Sequence, residues 1–232
     1  MKIGALIESW RSNPSNSPIT AFLLLLLGID FVFFFLHFLP LFGVLNDPLF
    51  SLEEDGGYPE RYQYAKIFSI IVLLIMVSAK AKVIGYGAWA VLFLYLLLDD
   101  ALSIHELLGH QVATSMDFLP AFGLRARDFG ELVVTGIAAT LLLAPLAVFY
   151  LCGTSSFRTV SRYLFLLLVA LAFFGIFVDM LHVAIQQGWK VSFLLGALED
   201  GGEMIVMSMM AAYVFLLYWR NRNAGSLSQP TI

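Results

Sequence analysis

ITAFLLLLLGIDFVFFFLHFLP, residues 19–40, decides the fold: from Ile19 to Leu39 the only ionisable side chains are Asp30 and His37, and Pro40 closes the run. A hydrocarbon core about 30 Å thick is crossed by roughly 20 apolar residues in a helix, so this stretch reads as one complete transmembrane span. Proline has no backbone N–H and cannot continue the helix, which puts the end of the span at Leu39.

The same pattern recurs down the chain. A polar stretch containing Asn46, Pro48, Gly56, Gly57 and Pro59 leads to a second span over about Lys66 to Val83. A third follows from Tyr86 to about Gly109, a fourth from Glu131 to Cys152, a fifth from Tyr163 to about Gln186 and a sixth from Phe193 to Trp219. With 232 residues, 60% hydrophobic and 13% charged, the chain carries more apolar surface than a soluble core of its size buries, and lipid must cover the rest. The fold class is therefore all-α: a polytopic membrane bundle of six helices over residues 19–219. An N-terminal segment, 1–18, precedes it and a polar tail, 220–232, expected to be disordered, follows. Met1 to Trp10 has the makings of a short interfacial helix, and the first apolar run is too long for a signal-peptide core and is read as retained.

Loop charge orients the bundle, because Lys and Arg stay on the cytoplasmic side. Counting segment ends alternately, one side collects Lys2, Arg11, Lys80, Lys82, Arg158, Arg162, Arg220 and Arg222 against Glu8 alone. The other side has Arg61, Lys66, Arg125, Arg127 and Lys190, diluted by Asp47, Glu53, Glu54, Asp55, Glu60, Asp117, Asp128 and Glu131. Both termini are expected in the cytoplasm, with the protein in a plasma or inner membrane. A net charge of -4 supplies no basic footprint for nucleic acid, and membrane lipids are the expected surroundings. One cysteine, Cys152, rules out internal disulfides and Cys-type zinc sites.

Ionisable side chains inside spans cost a few kcal/mol each on insertion scales, so they need a partner or a task. This chain has Asp30 and His37 in the first span, Asp99, Asp100, His105, Glu106 and His110 in or just past the third, Asp179 and His182 in the fifth, and Glu199, Asp200 and Glu203 in the sixth. On a continuous helix Asp99, Ser103, Glu106 and His110 form one stripe, with Asp100 and His105 pointing elsewhere. Asp30 and His37, Asp179 and His182, and Glu199 and Glu203 are also same-face pairs. With the expected orientation, most of these groups fall in the outer half of the bilayer.

Taken singly, each such residue is a helix–helix hydrogen bond or an interfacial side chain. Taken together, carboxylates and imidazoles on facing helices are how bundles build metal sites. Glu106, His110, Asp179, His182, Glu199 and Glu203 are the expected metal ligands, for Fe, Mn or Zn and with room for two ions, and Asp99 and Ser103 the expected catalytic groups. The stretch from His105 to His110 has one residue too many for the His-Glu-x-x-His zinc motif. The favoured function is a membrane-embedded metal-dependent enzyme acting on a lipid or other apolar substrate, by hydrolysis or by di-iron-type oxidation. A proton- or cation-coupled transport module, or a subunit of a membrane complex, is the second reading, and a haem protein using His37, His105, His110 and His182 the third. Other features are read as architecture: Met204, Met207, Met209 and Met210 as lipid-facing or packing side chains, Gly201 and Gly202 as a close helix approach or a local distortion, Pro145 as a kink, and Glu53-Glu54-Asp55 as a solvated loop.

Overall fold

The computed structural model describes residues 17–44, 47–185 and 188–226, and the interfacial helix expected over Met1 to Trp10 lies outside them. Helix α1 is Ser17–Phe38, continued by a 3-10 turn at Leu39–Phe42, with Pro40 inside that turn. After a second 3-10 turn, Pro48–Phe50, come α2, Tyr58–Ala81, and α3, Ile84–Ala101. A short helix α4, Ile104–Ser115, leads to α5, Ala126–Cys152. Helix α6, Ser155–Ala172, runs through a π-helical turn, Phe173–Val178, into α7, Asp179–Ala184, and α8 is Trp189–Ser226. Among the described residues the architecture is all-helical, apart from one isolated bridge between Ala121 and Leu124.

Among the described residues six helices are long and apolar enough to cross a membrane: Pro18–Phe42, Tyr58–Ala81, Ile84–Ala101, Ala126–Cys152, Ser155–Ala184 and Trp189–Asn223. The protein is thus a multi-pass integral membrane protein. Large apolar side chains on the outer faces are left for lipid, among them Phe31, Leu141 and Leu166. The core lies where α2, α3, α6 and α8 meet, built from Ile70, Leu74, Trp89, Phe93, Leu164, Met207 and Met210. Of the methionines read as packing or lipid-facing, Met204, Met207 and Met210 pack inward and Met209 faces out.

Helix α8 is the central post, flanked by α1, α2 and the α6–π–α7 rod. Ring contacts fix its direction against α1: Phe22 meets Phe215 at one end of the bundle, and His37 stacks on Phe193 at 4.2 Å at the other. The first end also holds Lys80, whose Nζ donates to the Arg222 carbonyl. There α8 runs on to Ser226, so part of the segment expected as a disordered tail is helix. Helix α5 stays continuous through Pro145, although proline removes one of its bonds.

Two sequence expectations are corrected. The third span is broken: α3 stops at Ala101, Ser103 takes the left-handed conformation (φ +47°), and α4 folds back along α5. The break is held by Asp99, whose Oδ1 accepts the His105 backbone N–H and so satisfies a donor that the new helix leaves orphaned. The approach of α4 to α5 is close enough that a Cβ on Gly130 would stand 2.8 Å from the Gly109 carbonyl carbon and 3.1 Å from the Ala113 nitrogen. The second correction concerns Lys66, which the charge count placed at the outer end of its span: the helix begins at Tyr58, and Lys66 is buried inside α2.

Candidate functional site

Lys66 is buried because it has partners. Its Nζ donates to Asp30 Oδ1 at 3.0 Å, to the Met204 carbonyl at 2.9 Å and to Ser208 Oγ at 3.2 Å, and Ser208 donates to Asp30 Oδ2 at 2.5 Å. This triad ties α1, α2 and α8 together, so Asp30 is a helix–helix contact. His37 is also structural in part. Its Nδ1 accepts the Leu52 N–H at 3.2 Å, which pins the loop between α1 and α2 to the bundle, while Nε2 lies 3.9 Å from Glu53 Oε1 without a hydrogen-bond partner.

The remaining intramembrane acids gather at the His37 end around three adjoining spaces. The first is an apolar chamber of 380 Å³ between α3, α5 and α6, floored by α2 and α8; Asp99, Asp100, His105, Gln63 and Glu203 form its polar end. The second is an acid vestibule of 120 Å³ lined by Glu53, Glu54, Asp55, Glu60, Asp100, Asp200 and Glu203, sharing Gln63, Asp100 and Glu203 with the chamber. The third is an open cleft of 600 Å³ that holds Asp179, His182, Glu199 and Asp200 and joins the vestibule at Glu53, Asp55 and Asp200.

Within these spaces two imidazole–carboxylate pairs stand out. His105 Nδ1 lies 3.0 Å from Asp99 Oδ2, and Tyr95 donates to Asp99 Oδ1 at 3.3 Å. On α4, outside the spans, the hydrogen bond to Asp99 raises the His105 pKa above its ordinary value against a smaller opposing effect of burial. His182 Nδ1 lies 3.1 Å from Glu199 Oε2, with its Nε2 2.7 Å from Ser192 Oγ. Glu53, on the loop, has its carboxyl pushed up by burial and partly drawn back by His182. Arg125, which lines the open cleft with His182, is committed to Asp128, with Nε 2.9 Å from Oδ1.

The backbone makes room for this arrangement. The π turn brings Gly175 against α8, and a Cβ there would run into the Glu203 carboxylate. Gly202 faces the Phe174 ring and Gly201 faces Phe34, so this glycine pair permits the close approach its sequence suggests. Gly196 is covered by the Glu53 carboxylate.

Of the expected metal ligands, Asp179, His182 and Glu199 share the open cleft, and Glu203 opens on the chamber and vestibule beside it. Glu106 and His110 are exposed on α4 and Ser103 is exposed at the break; none of the three lines these spaces. The expected stripe from Asp99 to His110 is dispersed by the break, and His105 takes the place beside Asp99. Among the described residues, no three His, Cys, Asp or Glu side chains converge closely enough to hold a metal ion. The sequence reading took Glu53 and Asp55 as solvated loop, gave Gln63 no role and set His105 off the Asp99 stripe, using it only as a haem ligand in the third reading. The first two sit in a stretch that looks like plain loop, but His105 had a signal, since Ser103-x-x-Glu106 is a capping-box pattern that marks a helix start.

Comparison with known proteins yields a family and nothing more specific. A family model described as a domain of unknown function (DUF8692) matches residues 19–217, which includes every group named above. No curated protein and no solved structure matches the chain.

Proposed function

We propose, for a chain that belongs to the DUF8692 family and takes no activity from it, a membrane-embedded metal-dependent enzyme that acts on a lipid or other apolar substrate. The observation that carries this reading is the apolar 380 Å³ chamber whose polar end holds the His105–Asp99 pair. A substrate chain lies in the chamber with its reactive group at that end. There His105, oriented by Asp99, takes or gives a proton, the arrangement general acid–base catalysis needs. This favours hydrolysis or group transfer over oxidation.

The metal, Fe, Mn or Zn, would be held by Asp179, His182 and Glu199, which line the adjoining cleft and would have to draw together from their present positions to reach one ion, with Glu203 on the substrate side. Carboxylates gathered in one cleft whose Arg125 is already engaged by Asp128 favour a bound cation as counter-charge. Its chemistry would be activation of water or polarisation of the scissile group. Both termini and the basic end face the cytoplasm of a plasma or inner membrane, and the acid site opens outward.

Protein purified into nanodiscs with a panel of radiolabelled membrane lipids tests this. The expected result is turnover that needs stoichiometric Fe, Mn or Zn, falls at least 100-fold in His105→Ala and loses its metal in His182→Ala. Metal-independent behaviour with no lipid converted would overturn it. In that event the Lys66–Asp30–Ser208 triad favours the second reading, a proton- or cation-coupled module, because it places an ion pair at mid-span.

A further inference from the structure

The apolar chamber does not end at the acid site. Leu143 and Phe165 line it and also line a second apolar chamber of 310 Å³, which reaches Tyr150 and Arg162 toward the opposite end of the bundle. Helices α5 and α6 leave this slot between them, with Trp89 on its floor. Along α6 and the π turn, the stretch from Arg162 to Gly175 is about 20 Å long. That exceeds one leaflet's half of a hydrocarbon core of about 30 Å. A single extended aliphatic chain fits such a slot.

At the other end two observations identify the headgroup. Among the described residues the vestibule is lined by seven carboxylates, from Glu53 to Glu203, and by no Lys, Arg or His. Gln63, 7% exposed and at the junction of chamber and vestibule, has its Oε1 buried with no hydrogen-bond donor. An orphaned buried acceptor is costly, and a ligand that brings an N–H satisfies it. A carboxylate or phosphate head would instead face repulsion from every ionised side.

The geometry points to a single-chain cationic amphiphile as the ligand: a long-chain amine, its tail between α5 and α6 and its ammonium among Gln63, Asp100 and Glu203. This rests on the lipid-enzyme reading for the placement of the chain, and it requires neither turnover nor metal. The amine binds as a cation by charge and hydrogen bonding, and no bond is made or broken.

The experiment is equilibrium binding of radiolabelled hexadecylamine, hexadecanol and hexadecanoate to the full chain in phosphatidylcholine nanodiscs, with empty nanodiscs as background. Saturable binding of the amine at least 10-fold tighter than that of the alcohol or the acid is expected. Gln63→Leu should weaken amine binding several-fold, Gln63→Glu should preserve or strengthen it, and Ala139→Phe, which fills the slot, should abolish it in a protein that still elutes as a single species. Equal binding of all three probes, or an amine affinity unmoved by Gln63→Leu, would overturn the assignment. So would protection of the fold by Mn2+ or Zn2+ alone with no amine bound. Amine binding without lipid turnover would sink the enzyme reading and leave this one standing; turnover without amine binding would do the reverse.

Discussion

Lys66 illustrates how a charge survives inside a span. A single buried partner would not offset its desolvation, and the structure supplies three acceptors, one of them a serine that also binds Asp30. Breaking such a pair strands a charge. Lys66→Met should therefore cost about 3–5 kcal/mol, seen as a lower Tm in detergent, and adding Asp30→Leu should restore most of it. A wild-type Tm in the single variant would contradict the role assigned here. His105 gives a second residue-scale expectation. Its folded-state pKa is raised above the ordinary 6.5, so its contribution to stability is complete below that value and is lost as pH rises through the higher one. Thermal stability should decline above pH 6.5, and Asp99→Asn should flatten that decline. A parallel pH profile in the two proteins would refute the coupling.

At the level of the helices, hydropathy made the six spans readable, because the bilayer thickness sets a length that composition reports directly. It could not reveal the break after Ala101. Residues from Tyr86 to Gly109 keep a helical apolar pattern on both sides of it, and the two halves are separated by a tertiary hydrogen-bonding arrangement at Asp99. The same limit applied to the site. Same-face spacing put Asp179 and His182 on one face, and both line the open cleft, whereas the Asp99-to-His110 stripe presumed a continuous rod. Glu53 and Gln63 reach the acid end through a loop fold and a helix start that no periodicity records. The close packing of α4 on α5 offers a direct check. Gly130→Val would force backbone apart at Gly109 and Ala113, at a cost of about 1–3 kcal/mol, and should raise protease sensitivity in the 102–125 connection. Unchanged proteolysis would show that the helices are not held that closely.

Across the whole molecule the two ends differ in kind. Lys80, Lys82, Arg158, Arg162, Arg220 and Arg222 belong to the end where α8 finishes, and the acid vestibule and clefts occupy the other. Cys152, exposed at the last residue of α5, marks the basic end with the chain's single thiol. A membrane-impermeant maleimide should label it in inverted vesicles and leave it untouched in intact cells. Labelling of intact cells would reverse the orientation and turn the acid site inward.

The Lys66 triad also dictates an order of events during synthesis. Asp30 and Lys66 emerge on the first two spans and can enter the bilayer as a neutralised hairpin, but Ser208 and the Met204 carbonyl arrive only with the last helix. Until then the nascent chain carries an under-coordinated ammonium in lipid, a state that membrane quality control is placed to detect. Docking of α8 thus completes the coordination of the ammonium: chains truncated before Trp189 should be degraded faster in a pulse-chase than chains that carry α8, and equal lifetimes would contradict this.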